Sequence, residues 1–341
     1  MLFPPTKPGK ILSIAFILIC VVLFSVLTVY LQVMSLEKPF LYYLEQGLQI
    51  QRHTAVLDGS APNPWQYRVL ADYLVEGAIR LFQGVDIPHP VASAFVSFRF
   101  LQNILIFGLA YLYYRKLKLS PAHALVGMCL LAWGMTYAYY DSDLQFNTYF
   151  DIIFYLLAGL LVVLDKPIWI IPLMLFAALN RETSGLIPFM TLALILPFRK
   201  DVGTVSKAGS PKRKIIIIAA VSLAIFGCIF VGLRLMYPHQ EISMPYGHAM
   251  GLDLLRYNLF RAVTWSQLFA TLSIIPALAV LAYKKWPPVL RIFFWVVIPA
   301  WFLIHPFTSV MAETRVFLVP QVLIFIPGAL FLLKADGQNG E

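Results

Sequence analysis

The chain has 341 residues, of which 60% are hydrophobic, 15% aromatic and only 13% charged, where a soluble globular domain carries roughly 25% charged residues. With a mean hydropathy of +0.77 and repeated apolar runs able to cross a hydrocarbon core about 30 Å thick, the composition excludes a soluble enzyme and a disordered chain. The net charge is +9, from 26 Lys and Arg against 17 Asp and Glu, yet no nucleic-acid partner is expected, because the charges sort by side of the membrane.

The expected fold is all-α, a polytopic transmembrane helical bundle of about ten membrane segments. They fall at residues 11–31, 92–114, 121–139, 146–164, 167–179, 185–198, 215–236, 265–283, 287–304 and 316–333. The first follows Lys7 and Lys10 and is not followed by an A-x-A-like cleavage site, so it is expected to be a retained span. Residues 32–91 form a long loop. Within it, residues 65–82 have helical periodicity, with Leu70, Tyr73, Leu74, Ala78 and Leu81 on one stripe. Arg68, Asp72, Glu76 and Arg80 occupy another, at i,i+4 steps that predict Arg68–Asp72 and Glu76–Arg80 pairs. Asn63-Pro64 marks the start of this helix and Gly84 with Pro88 its stop. It is expected to lie on the membrane interface as an amphipathic helix, with residues 36–50 as a shorter partner.

Further along, Arg99, Gln102 and Asn103 fall inside the second run. Asp141 and Asp143 form a D-x-D in the loop after the third. In an extended turn alternate carboxylates point the same way, which makes the pair a candidate chelator of Mg²⁺ or Mn²⁺; the other reading is two solvated acids. Residues 167–198 must go out and back between cytoplasmic signals. Thirteen apolar residues at about 1.5 Å each reach only about 20 Å, so Asn180, Arg181, Glu182, Thr183 and Ser184 are placed at membrane depth. Charged groups there are costly and face a protein-lined cavity, unless Arg181 and Glu182 simply neutralise each other in a turn. Residues 199–214 look like a flexible basic linker beside anionic lipid. Arg234, near the end of the seventh run, is expected to anchor at the headgroups. Glu313, Thr314 and Arg315 open the last run.

With the N-terminus in the cytoplasm, that side carries sixteen Lys and Arg against four acids. Of the ten other basic residues, nine are Arg and only Lys38 is Lys. Arginine keeps its charge in low dielectric and its fork fits phosphate or carboxylate, so the arginines of the opposite, exoplasmic face, at several spans, suggest one polar cavity for an anionic group. Cys20, Cys129 and Cys228 lie in apolar runs and the histidines lack H-E-x-x-H spacing, so neither a disulfide framework nor a zinc site is expected.

A first span followed at once by a long exoplasmic loop, a D-x-D in the second exoplasmic loop and a short re-entrant pair carrying N-R-E-T together resemble the C-type (GT-C) integral-membrane glycosyltransferases. More narrowly, WQYRVLADYL (65–74), NRETSGLIPF (180–189) and AETRVFLVP (312–320) resemble short patterns of bacterial GT-C-like membrane proteins. The resemblance implies a single GT-C-like domain over 1–341 in the bacterial plasma (inner) membrane, both termini cytoplasmic. It would transfer a sugar from a polyprenyl-phosphate-linked donor to an acceptor on the exoplasmic face. Its catalytic carboxylate, a general base, falls on Asp58 or, failing that, Glu45. Arg181 and Arg315 would hold the leaving phosphate, with Arg68 also binding substrate. Glu182 and Glu313 would orient these arginines or bind sugar hydroxyls. Asp141 and Asp143 match the second-loop acidic motif and would hold Mg²⁺ or Mn²⁺, although many lipid-phosphate-dependent members need no metal. The first loop departs from the best-known members in lacking their paired acids. Two other functions fit the same arginines: a transporter or flippase of lipid-linked sugar, and a surface-polysaccharide polymerase or ligase.

Overall fold

The computed structural model describes residues 7–140, 142–195, 211–237, 241–242 and 244–334, and the described chain is helical without a strand. Helices α1 (Lys7–Ser35), α2 (Phe40–Glu45), α3 (Leu48–Leu57), α4 (Val69–Gly84), α5 (Pro90–Lys116), α6 (Pro121–Tyr137), α7 (Phe146–Val163), α8 (Ile170–Asn180), α9 (Ile187–Met190), α10 (Lys212–Met236), α11 (Leu252–Phe260), α12 (Ala262–Leu272), α13 (Ile275–Leu281) and α14 (Pro288–Thr308) precede a last apolar segment, Thr314–Leu330. Five of them, α1, α5, α7, α10 and α14, are long and apolar enough to cross a bilayer. The pair α12 and α13, bent by 62°, makes a sixth if it is one span.

The other expected segments are helical but shorter. Helix α6 has 17 residues and α8 has 11. The stretch after residue 182 is broken into a 3-10 turn at Glu182–Leu186, the four residues of α9 and another 3-10 turn at Thr191–Leu194. The basic linker expected at 199–214 lies largely outside the described residues.

Local chemistry explains where the elements begin. Ser120 caps α6, its hydroxyl accepting from His123 N at 3.1 Å, and Pro121 occupies the first turn, where no amide donor is needed. Residues 36–50 divide into α2 and α3 at Gln46-Gly47. Helix α4 forms, and a second apolar face of it packs on the protein. Ala71, Val75 and Ile79 are buried against α5, whereas Tyr73, Leu74 and Leu81 of the expected stripe are exposed. Both faces of this helix are apolar; the inner one uses small and β-branched residues that allow close approach. Of the two expected pairs, Glu76–Arg80 forms at 2.8 Å. Arg68 instead caps the helix with non-helical dihedrals (φ −103°, ψ 56°) and reaches Glu182, while Asp72 meets His53.

The main core is built by α5, α6, α7, α14 and the last segment. That segment turns π-helical at Gln321–Phe325, a distortion that leaves carbonyls needing donors. Tyr113 and Tyr114 of α5 donate to Leu323 O (3.0 Å) and Val322 O (3.1 Å), so the irregular backbone is satisfied inside the protein. Gly134 lets Gln321 cross α6: a Cβ there would lie 2.5 Å from Gln321 Oε1, while Gln321 Nε2 donates to Thr271 O at 3.0 Å.

At one end of the bundle, α2–α4 meet the segment around residues 241–261. Asn63 N donates to Glu241 O (3.1 Å) and Gly251 N to Phe307 O (2.8 Å). Asn258 donates to Pro306 O and Ser309 O, both at 2.9 Å, and accepts from Met311 N. These contacts bring the first loop, the N-R-E-T turn and the start of the last segment around one space.

Candidate anion site

That space is a cavity of ≈ 270 Å³, about nine water volumes and just below the usual range of small-molecule pockets. Four arginines line it: Arg52 from α3, Arg68 at the cap of α4, Arg181 between α8 and the following turn, and Arg315 at the start of the last segment. Glu313, Trp65, Gln145, Thr148 and Tyr246 are among the other lining residues. Arg181 is presented because its backbone is extended (φ −163°, ψ 149°) between two helical pieces, which turns its side chain away from the axis of α8.

Each guanidinium has a carboxylate. Arg52 Nη1 lies 2.5 Å from Asp143 Oδ2, Arg68 Nε and Nη2 donate to Glu182 Oε2 at 3.2 and 3.1 Å, Arg181 Nη1 is 3.6 Å from Asp151 Oδ2, and Arg315 Nη2 donates to Glu313 Oε2. Of these acids Glu313 lines the cavity and Asp143 the adjoining recess, while Asp151 and Glu182 line neither. The cavity wall therefore carries four guanidiniums and one carboxylate. Two buried donors, Arg181 Nε and Arg315 Nη1, have no hydrogen-bond partner, and an unmatched buried charged donor is costly until an acceptor arrives. The arrangement suits an anion with several oxygens, such as a phosphate group.

A smaller recess of ≈ 40 Å³ shares Arg52, Trp65, Arg68 and Gln145 with the main cavity and adds His53, Asp72 and Asn147. His53 is buried, with Nδ1 3.2 Å from Asp72 Oδ1 and Nε2 3.2 Å from Glu76 Oε2. Burial opposes charge on the ring, but the two carboxylates outweigh it and raise the His53 pKa above the ordinary histidine value. Burial raises the pKa of Asp72, against the pull of His53.

The two carboxylates expected as base lie elsewhere. Asp58 is exposed at the end of α3, where the Ser60 hydroxyl (2.6 Å) and amide (2.9 Å) hydrogen-bond its carboxylate and hold its pKa low. Glu45 is 3.2 Å from His89 Nδ1. Neither lines the cavity or the recess. Arg68, Arg181, Glu313 and Arg315 do come together, with Glu182 bonded to Arg68. Arg99, expected to share the cavity, is buried with Gln102 and Asn103 against α1 and α7 instead. Arg99 donates to Gln32 Oε1 (2.8 Å) with its guanidinium on the Tyr149 ring, and Asn103 donates to Thr28. Arg234, expected at the headgroups, lies over Tyr67 and Phe230 with Nη2 3.8 Å from Glu182 Oε1.

Asp141 lies outside the described residues. Asp143 has both oxygens engaged, Oδ2 with Arg52 and Oδ1 accepting from Gln145 N at 3.1 Å. No group of three or more His, Cys, Asp or Glu among the described residues is placed to hold a metal. A carboxylate already neutralised by a guanidinium is a poor ligand for a hard cation that needs six or more oxygens. Asp143, held in this way, has neither oxygen free to ligate Mg²⁺ or Mn²⁺.

Arg52, Asp72 and Asp151 escaped the sequence reading as site residues. Asp151 did carry a signal, an acid inside an apolar run. Arg52 carried none, because its position depends on where α3 docks. The chain matches no family model, no curated protein and no solved structure.

Proposed function

We propose that the protein is a GT-C-type membrane glycosyltransferase of about ten membrane segments, in the bacterial inner membrane with both termini cytoplasmic. It transfers a sugar from a polyprenyl-phosphate-linked donor to an acceptor on the exoplasmic face. The observation that carries this reading is the four-arginine wall with unpartnered donors at Arg181 and Arg315. Those donors would hold the lipid-linked phosphate and stabilise the charge it gains as the sugar leaves. The cavity's size matches a headgroup, so the isoprenoid tail would stay in lipid.

In the reaction, the acceptor hydroxyl attacks the anomeric carbon, the bond to the phosphate oxygen breaks with its electron pair passing to the phosphate, and the hydroxyl proton goes to a base. Asp72 is assigned that role in place of Asp58 or Glu45. It faces the recess beside the arginines, and a raised pKa makes it a stronger proton acceptor than the exposed Asp58. Glu182 and Glu313 orient Arg68 and Arg315.

Purified protein in nanodiscs, offered a panel of polyprenyl-phosphate hexoses and pentoses with membrane glycolipid acceptors, should form product that Arg315→Gln abolishes. Redistribution of the donor across proteoliposomes without transfer would replace this reading by a flippase.

A further inference from the structure

Asp151 is a fully buried carboxylate on α7 that the reaction above does not use. Its contacts go to the turn that carries Arg181. Thr183 Oγ1 donates to Oδ2 at 2.6 Å, Asn180 Nδ2 approaches Oδ1 at 3.5 Å, and Arg181 Nη1 stands 3.6 Å from Oδ2. One turn on either side, Asn147 O accepts from Asn180 Nδ2 (2.8 Å) and Tyr155 OH donates to Thr183 O (2.6 Å). Residues 147, 151 and 155 are spaced i, i+4, i+8, a single stripe of α7. One face of that helix therefore grips the whole turn.

The grip on Arg181 differs from that on its neighbours. Arg68 has its Nε and Nη2 edge on Glu182. Arg181 has only long contacts, 3.6 Å to Asp151 and 3.5 Å to Thr148 Oγ1, and its Nε is unpartnered although the side chain is only 7% exposed. The short bond of Asp151 is the one from Thr183, made to the same Oδ2 that faces the Arg181 guanidinium.

We propose that Asp151 is a positioning residue for the anion site, a counter-charge that keeps Arg181 at the cavity wall with its donor edge free for a phosphate oxygen. Thr183 is the restraint that prevents Asp151 and Arg181 from closing into a fork. The proposal rests on the reading that Arg181 meets an anionic headgroup, and the test separates the two.

The probe is dodecyl phosphate, titrated into the full-length protein in nanodiscs, with dodecanol as the uncharged control. Asp151→Asn removes the counter-charge but keeps an acceptor for Thr183; Thr183→Val removes the restraint but keeps the charge. Each should weaken dodecyl phosphate binding about tenfold in the wild-type background, and under about twofold when Arg181→Gln is already present, because residues acting through one group are non-additive. Equal losses in both backgrounds, or no loss in the wild type, would overturn the proposal. Should Asp151→Asn fail to fold, Thr183→Val carries the same comparison. A wild type that does not distinguish dodecyl phosphate from dodecanol would overturn the anion reading itself, and with it the proposal.

Discussion

Replacing Arg315 by Gln should weaken retention of an anionic headgroup much more than replacing Arg68 by Gln. Arg315 is 3% exposed, and its Nη1 is buried without a partner while Nη2 is held by Glu313. An acceptor oxygen that takes up this donor gains a charge-assisted bond, about 1.5–3 kcal/mol, which corresponds to roughly 10- to 150-fold in affinity. Arg68 already has two donors on Glu182, so its loss should cost less than about tenfold. Folding should tolerate both changes, since Glu313 and Glu182 keep 24% and 27% side-chain exposure and Glu182 also has Arg234 nearby. The assay is titration of dodecyl phosphate at one fixed ionic strength, because screening alters any exposed contribution, with thermal unfolding of each variant alongside. An Arg68→Gln effect equal to or larger than that of Arg315→Gln, in variants of unchanged stability, would refute the argument from free donors.

Three further outcomes are expected. Asp72→Asn should slow transfer by about 10²- to 10⁴-fold, the range for loss of a general base, with donor binding unchanged, whereas Asp58→Asn and Glu45→Gln should leave the rate near wild type; the reverse pattern in a turnover assay would move the base to the first loop's surface. The raised His53 pKa stabilises the fold in full below the ordinary histidine value of 6.5 and less as the pH rises through the folded-state value. The difference in unfolding temperature between the wild type and His53→Gln should accordingly shrink from pH 6 to pH 8, and a constant difference would remove His53 from the pH response. Gly134→Ala, which places a Cβ 2.5 Å from the pinned Gln321, should destabilise by about 1–3 kcal/mol, read as a lower unfolding midpoint with unchanged headgroup affinity in the folded protein.

Much of this architecture was legible in the sequence because membrane constraints are strong. Apolar length located the five or six membrane-capable helices, and the cost of charge at membrane depth singled out Arg181 and Arg315 as candidates. What escaped was decided by docking rather than by periodicity. Arg68 and Asp72 stand four residues apart, yet Arg68 lies outside the helical dihedrals, so the i,i+4 rule did not apply and each found a distant partner. The apolar stripe of α4 was legible from its periodicity, but the second apolar face, Ala71, Val75 and Ile79, which packs on α5, was not, because in a chain this apolar hydrophobicity does not separate the protein-facing side from the other. Asp143 looked like half of a metal motif, but the loop carrying it is clamped by Gln32 and Gln49 so that its carboxylate meets Arg52.

The pairing of each arginine with an acid has a consequence for what the site senses. Seen from a distance, four guanidiniums matched by four carboxylates are a set of small dipoles whose fields largely cancel, and at physiological salt little of any residual field extends past about 8 Å. Such an end of the bundle does not concentrate dissolved phosphate or nucleotides from bulk water as a bare cluster of lysines would. On the proposed reading it would discriminate at contact, favouring an anion delivered to the cavity mouth by its own hydrophobic tail over the far more abundant soluble ones.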